Sequence, residues 1–204
     1  MNHDPNRRVL VQTLLTLPAL ALIGCEEAAS STTDTTFSPS SLSLTPACDD
    51  DDGPTEAQTE GPYFKPSSPG RSSLLESGLA GTRLVLTGRV LSVGCKPIAR
   101  ALLDFWQADN GGAYDLSGFR LRGHQFTDAD GRFSLETIVP GLYPGRTRHI
   151  HVKVQAANGP ILTTQLYFPD EARNASDGIY SPSLVMGMSG SGSSREGMFD
   201  FVLK

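Results

Sequence analysis

Cysteine and histidine are both scarce in this chain of 204 residues, which contains three of the first and four of the second. No Cys-x-x-Cys pair occurs, so a zinc site of the cysteine type has little support. The formal net charge is -5 and no basic stripe stands out, which argues against a nucleic-acid partner because phosphate contacts need clustered Lys and Arg. Internal repeats and long amphipathic helical patterns are also lacking. The composition leaves room for one compact domain with appendages.

The N-terminal segment, residues 1–24, has the pattern of a signal peptide. Arg7 and Arg8 precede a short apolar run that ends in Leu22-Ile23-Gly24-Cys25, which resembles the lipobox of bacterial lipoproteins. We therefore expect Cys25 to carry a lipid and the protein to be exported to the bacterial cell envelope, anchored to a membrane. The arginine pair resembles a twin-arginine export signal but also suits an ordinary Sec signal. A plain secretory peptide with a chance cysteine is the alternative.

Two further boundaries follow from composition. Residues 25–47 are rich in Ser and Thr and poor in bulky apolar side chains, which predicts a disordered tether. Residues 48–204 form the predicted folded domain. Cys48 and Cys95 remain in this domain, and in an oxidising compartment an even pair suggests a disulfide. Two buried free thiols, or two metal ligands, are the alternatives.

The folded part reads as an all-β domain, an antiparallel β-sandwich with long active-site loops. Short aliphatic and β-branched segments recur between turn signals, which is typical of such sandwiches. The strand candidates are RLVLTGRVLSV, ALLDFWQA, HQFTDADGRFSLETI, HIHVKVQ, ILTTQLYF and MFDFVL. The third contains Asp130-Gly131 and predicts a β-hairpin. The stretch 59–76 predicts an extended arm, and the Gly/Ser-rich stretch 186–197 predicts a mobile loop.

One strand candidate carries two histidines two residues apart. Side chains alternate across a strand, so Ile150, Val152 and Val154 should face the core while His149 and His151 face a cleft. Two imidazoles so placed can converge on one metal ion. A lone His-x-His is weak evidence on its own. Two tyrosines in neighbouring Gly-rich loops strengthen the case for a metal site.

Those tyrosines belong to motifs that resemble a known family, the intradiol ring-cleavage dioxygenases, which include catechol 1,2- and protocatechuate 3,4-dioxygenases. The similar pieces, in the family's order, are TEGPYF, GCKPIARALLDFWQADNGGAYD, RGHQFTDADGRFSLETIVPGLYPGRTRHIHVKV and TTQLYFPDE. The resemblance implies a mononuclear non-haem Fe(III) cofactor held by two tyrosines and two histidines. Carried onto this chain, the ligands are Tyr114, Tyr143, His149 and His151.

The resemblance also implies a reaction and two further residues. The substrates are a catechol-type diol and O2, and the ring opens between the hydroxyl-bearing carbons to give a muconate-type diacid. Tyr143 leaves the metal when substrate binds and helps take up a substrate proton. Arg146 lies beside the substrate ring and stabilises developing negative charge. Gln165 is an expected neighbour of the site, with a plain strand hydrogen bond as its alternative, whereas Arg148 is expected to face away.

Two other functions compete with this one. The pattern GRVLSVGCKPIARALL is also similar to lipid-anchored binding modules of the transthyretin or carboxypeptidase-regulatory type, which lack the tyrosine pair and the His-x-His. A zinc hydrolase using His149 and His151 would need a third ligand and a nearby general base, and no HExxH motif is present. The sequence does not fix the ring substituents of the substrate or the oligomeric state.

Overall fold

The computed structural model describes residues 53–204. The predicted signal peptide, lipidated Cys25, tether and Cys48 lie outside the described residues, so the Cys48–Cys95 disulfide stays a prediction. Within residues 53–204 no helix is long and apolar enough to cross a membrane. The only helical segments in this range are short 3-10 turns at Ala172–Ala175 and Pro182–Leu184.

Within residues 53–204 nine strands form two sheets, which confirms the predicted sandwich-like, all-β fold. Their bounds are β1 Arg83–Ser92, β2 Leu102–Trp106, β3 Arg122–Phe126, β4 Arg132–Ile138, β5 His149–Gln155, β6 Ile161–Tyr167, β7 Gly187–Ser189, β8 Ser194–Met198 and β9 Phe201–Leu203. One sheet has the order β3-β2-β5-β6 with every neighbouring pair antiparallel. The other has the order β4-β1-β8-β7, with β9 pairing the end of β1. In this second sheet β8 and β9 run parallel to β1, so the sandwich is not purely antiparallel.

The predicted hairpin through Asp130-Gly131 is wrong. β3 pairs with β2 in one sheet, and β4 pairs with β1 in the other. The connection between them therefore crosses from one layer of the sandwich to the other. The turn chemistry is present, since Gly131 has a φ of 70° and Asp128 accepts hydrogen bonds from the N–H groups of Asp130 and Arg132. A turn signal shows where the chain bends but not which strands pair across the bend.

The Gly/Ser-rich stretch 186–197, predicted to be a mobile loop, instead contains β7 and most of β8. These two strands pair antiparallel, from Gly187 opposite Met198 to Ser189 opposite Glu196. Glycine and serine have low strand propensity, so the pattern hid a short edge hairpin. The pairing of β8 with β1 supplies the stability that its own sequence lacks.

The core lies between the two sheets and is built by strand alternation. Phe105 and Val152 are opposite each other in the β2–β5 register, and both are fully buried. Leu86 and Leu135 are opposite each other in the facing sheet and are also fully buried. The inward face of β5 is therefore the predicted one, which leaves its histidines on the outer face of the four-stranded sheet.

Position 88 in β1 requires glycine, because the backbone of Phe199 approaches it closely. A Cβ added at Gly88 would lie 1.8 Å from the carbonyl oxygen of Phe199 and 3.0 Å from the Phe133 ring. Gly88→Ala is thus expected to destabilise the fold by about 3 kcal/mol, the upper part of the range for overpacking. Urea unfolding at constant m measures this change. Gly187→Ala is the control, because its Cβ would meet its nearest atom at 3.8 Å. Equal midpoints for the two variants would contradict the expectation.

Candidate metal centre

A row of four paired residues crosses the outer face of the four-stranded sheet. Arg122 lies opposite Trp106, Trp106 opposite His151, and His151 opposite Gln165. Directly paired residues share a face, so the register alone places these four side chains side by side. The ring of Trp106 stacks on that of His151 with centroids 4.8 Å apart and planes 7° apart. All four residues are almost fully buried.

The two histidines are close together, as the alternation predicts. Their ring centroids are 4.8 Å apart, and the side chains are nearly inaccessible. Nδ1 of His149 donates a hydrogen bond to the carbonyl of Thr147 at 2.6 Å, which leaves Nε2 as the nitrogen with a lone pair. Burial lowers the pKa of His149 to about 4 and that of His151 well below its usual value. Both imidazoles are therefore neutral near pH 7, the form that binds a metal.

Two loops bring the predicted tyrosines to these histidines. Tyr114, on the β2–β3 loop, places its hydroxyl 3.2 Å from Nε2 of His149. Tyr143, on the β4–β5 loop, has its ring centroid 5.8 Å from that of Tyr114. The two loops touch, because a Cβ on Gly112 would lie 2.4 Å from the carbonyl of Leu142. The positive φ of Gly112, 87°, suits glycine at this contact.

The N-terminal arm covers the site and adds a third tyrosine. The arm has no helix between residues 53 and 76, as expected. Tyr63 makes a hydroxyl–hydroxyl hydrogen bond of 2.8 Å with Tyr143 and stacks on Tyr114 with centroids 4.7 Å apart. Phe64 packs edge-on against Trp106 at 4.9 Å. The hydrogen bond between Tyr63 and Tyr143 spans 80 residues, so no local pattern predicts it.

Arg146 and Gln165 are joined directly. Nη2 of Arg146 donates to the Gln165 side-chain oxygen at 2.7 Å, and the Gln165 amide nitrogen donates to the carbonyl of Thr59 at 3.0 Å. Nε of Arg146 donates to Asp177 at 2.8 Å. Arg148 instead pairs with Glu171 at 2.6 Å and also donates to the carbonyl of Pro140. The two arginines therefore have different partners, and Arg148 faces away from Gln165.

The donor set suits a hard metal ion. Within residues 53–204 no group of three or more His, Cys, Asp or Glu side chains could hold a metal. Burial raises the pKa of Tyr114 well above its usual value, and a phenolate there needs a bound cation to stabilise it. Nδ1 of His151 is buried and has no hydrogen-bond partner among the described residues, so this imidazole is not committed to the protein's own network. The residues present fit a ferric ion held by two imidazoles and two phenolates.

The model of the Dioxygenase_C family, described as a dioxygenase, matches residues 59–204. The chain belongs to the intradiol ring-cleavage dioxygenase family. Family members with curated names include the protocatechuate 3,4-dioxygenase beta chain of Burkholderia cepacia, 37% identical over 118 residues, which are 49% of this chain and 50% of that one. Catechol 1,2-dioxygenase 2 of Acinetobacter lwoffii is 32% identical over 141 residues, 56% of this chain and 51% of that one. The chain spans about half the length of these curated relatives.

Solved structures of the family agree with the fold. The dioxygenase domain of a dioxygenase–carbohydrate-binding protein fusion from Streptomyces sp. SirexAA-E is 62% identical, with a TM-score of 0.72, over 74% of this chain and 98% of that chain. The 3-chlorocatechol 1,2-dioxygenase of Rhodococcus opacus 1CP is 30% identical, with a TM-score of 0.67, over 73% of this chain and 72% of that one.

Three residues around the site were missed at the sequence level. Asp177 and Tyr167 hydrogen-bond to Arg146, and the buried Trp106 stacks on His151. Tyr167 could have been found from alternation, since it lies two residues after Gln165 on β6. Burial raises the pKa of Tyr167 to about 12, so it is a neutral hydrogen-bonding group. Asp177 lies in an irregular loop and carries no local signal.

Proposed function

We propose that this protein is a non-haem Fe(III) dioxygenase. It cleaves catechol-type diols between the two hydroxyl-bearing carbons with O2, giving muconate-type diacids. One observation carries the proposal: Tyr114 contacts His149, His149 lies beside His151, and Tyr143 lies beside Tyr114, so four side chains from three separate segments form one cluster. Four side chains gathered in this way, in a member of this family, support one shared ferric ion. The chemistry that bound ferric iron supplies is Lewis-acid activation of a catecholate toward O2.

The protein's own side chains have separate roles in binding, proton transfer and charge stabilisation. His149 is oriented by its hydrogen bond to the Thr147 carbonyl and offers Nε2. Tyr143 would take up a substrate proton in its phenolate form, and its 2.8 Å hydrogen bond to the Tyr63 hydroxyl gives that proton a neighbouring oxygen. Arg146 places a fixed positive charge where a substrate oxygen gains negative charge. The arm and Trp106 exclude water from the His151 side of the site.

The proposal extends to cellular context. Catechol-type substrates are supported by the relatives named for catechol, chlorocatechol and protocatechuate cleavage. The N-terminal pattern supports an envelope lipoprotein that meets such compounds outside the cytoplasm. The binding-module alternative has no specific contact in the described residues in its favour.

A visible absorption spectrum tests the iron site directly. The full-length protein is reconstituted with ferric iron, and its spectrum is recorded without and with catechol in the absence of O2. Tyrosinate bound to ferric iron gives a red-brown charge-transfer band, and bound catecholate is expected to move that band to longer wavelength. Admission of O2 should then yield a diacid in proportion to the catechol lost. A colourless protein after iron loading would refute the proposal, and a zinc-loaded sample is the control that should stay colourless.

A further inference from the structure

One buried carboxylate contacts both Arg146 and the backbone that leads into His149. The side chain of Asp177 is 2% exposed, and it sits in the loop after the 3-10 turn Ala172–Ala175. Its Oδ2 accepts a hydrogen bond from Nε of Arg146 at 2.8 Å and another from the backbone N–H of Thr147, also at 2.8 Å. Its Oδ1 accepts from the N–H of Ile179 at 3.1 Å. The carboxylate is thus fixed in position by three donors.

The backbone of Thr147 connects this carboxylate to a candidate iron ligand, His149. Asp177 binds the N–H of Thr147, and the carbonyl of the same residue accepts the Nδ1–H of His149 at 2.6 Å. The arrangement resembles a carboxylate–histidine pair with one residue's backbone inserted between its members. Holding Thr147 therefore holds the orientation of the His149 ring.

The same carboxylate controls the direction of the Arg146 guanidinium. Arg146 has its Nε on Asp177 and its Nη2 on Gln165, so the planar group is held at two points. Burial raises the pKa of Asp177, but hydrogen bonds from Thr147 and Arg146 outweigh burial and hold that pKa below its usual value. The pair is therefore a charged one. Without Asp177 the guanidinium would lose one of its two anchors.

Arg173 and Asn174, close to Asp177 in sequence, also hydrogen-bond to the loop that carries Tyr143 and Arg146. Arg173 donates to the carbonyls of Tyr143 and Arg146, at 3.4 and 3.3 Å. Asn174 accepts a 2.6 Å hydrogen bond from the Thr147 hydroxyl. Residues 173–177 therefore clamp the loop that carries Tyr143 and leads into His149.

We propose that Asp177 is a positioning residue that sets Arg146 for the substrate and His149 for the metal at the same time. This inference rests on the proposed dioxygenase function. It assigns one carboxylate two tasks, and it predicts that loss of its charge damages both metal retention and turnover. If the carboxylate merely stabilised the fold, its loss would lower the melting temperature without a specific effect on metal retention or turnover.

Asp177→Asn tests the inference, because the amide keeps the shape and removes the charge. In the full-length, iron-loaded protein we expect kcat for catechol to fall about 10- to 100-fold, the usual cost of losing a group that orients a ligand. We expect iron to be lost to a chelator faster, and the tyrosinate band to shift. Glu171→Gln is the matched control, because it removes the carboxylate partner of Arg148 from the neighbouring ion pair. That variant should stay within a few-fold of the parent in all three measurements.

The possible outcomes distinguish failure of the role of Asp177 from failure of the proposed dioxygenase function. A colourless, inactive parent protein would refute the dioxygenase itself. A coloured, active parent with Asp177→Asn unchanged in kcat and chelator resistance would overturn only the role of Asp177, as would equal losses in Glu171→Gln. If Asp177→Asn melts at a lower temperature than the parent, kcat and chelator resistance are measured well below its melting temperature, and the double variant with Arg146→Gln is compared with both single variants there. Turnover losses well short of additive support a shared role, and additive losses contradict it.

Discussion

Tyr114→Phe is expected to weaken the charge-transfer band, to which Tyr143 still contributes, and to reduce turnover of catechol at least about 100-fold. Loss of groups that only orient a metal ligand costs 10- to 100-fold, so loss of a ligand atom should cost more. The substitution removes one oxygen and keeps the ring, which stacks on Tyr63 at 4.7 Å. The fold should therefore survive. The burial that raises the pKa of Tyr114 also means that a bound cation must displace its proton, so the absorption band reports ligation directly.

Tyr180→Phe is the matched control for this experiment. Tyr180 packs edge-on against Tyr167 at 5.2 Å and makes no contact with His149 or His151 that the structure describes. Its loss of a hydroxyl should leave the spectrum and turnover within about two-fold of the parent, as for most substitutions away from a site. If Tyr114→Phe keeps a full-strength band, Tyr114 is not a ligand. If it keeps turnover as well, a site built only on the two histidines, as in the zinc alternative, becomes the better explanation.

The parts of the site that alternation governs could be predicted from the sequence. His149 and His151 share a face because they are two residues apart on a strand, and the same rule gives the buried Ile150 and Val152. The strands themselves follow from β-branched and aliphatic runs. These inferences need only neighbours within about seven residues, which is the range over which local patterns are reliable.

Contacts between distant segments could not be predicted in this way. Tyr63 reaches Tyr143 across 80 residues, and Asp177 reaches Arg146 across 31. The β3–β4 connection looked like a hairpin because a turn signal is local, whereas the choice of pairing partner depends on which strands the whole sandwich places side by side. Tyr114 and Tyr143 are predicted as ligands from the family resemblance, since no periodicity links Tyr114 to His149.

Arg146→Gln is expected to lower kcat by about 100- to 1000-fold, with KM changed much less. Removing one preorganised donor that stabilises developing negative charge costs about that much in other enzymes. The uncharged amide still reaches toward Asp177 but supplies no fixed positive charge. Iron binding should persist, because Arg146 is not a ligand, so the tyrosinate band remains while turnover falls. Steady-state kinetics with catechol, together with the spectrum of the resting protein, separate these two effects.

Arg148→Gln is the control, because it removes the same charge two residues away from an arginine that pairs with a different carboxylate. Arg148 pairs with Glu171 and is partly exposed, so its ion pair contributes little, about 1 kcal/mol or less. We expect its kcat to stay within a few-fold of the parent. Equal losses in both arginine variants would mean that general loop stability, rather than the charge of Arg146, limits turnover. A rise in KM alone for Arg146→Gln would instead place the arginine in ground-state binding, because only an interaction stronger in the transition state lowers kcat when it is removed.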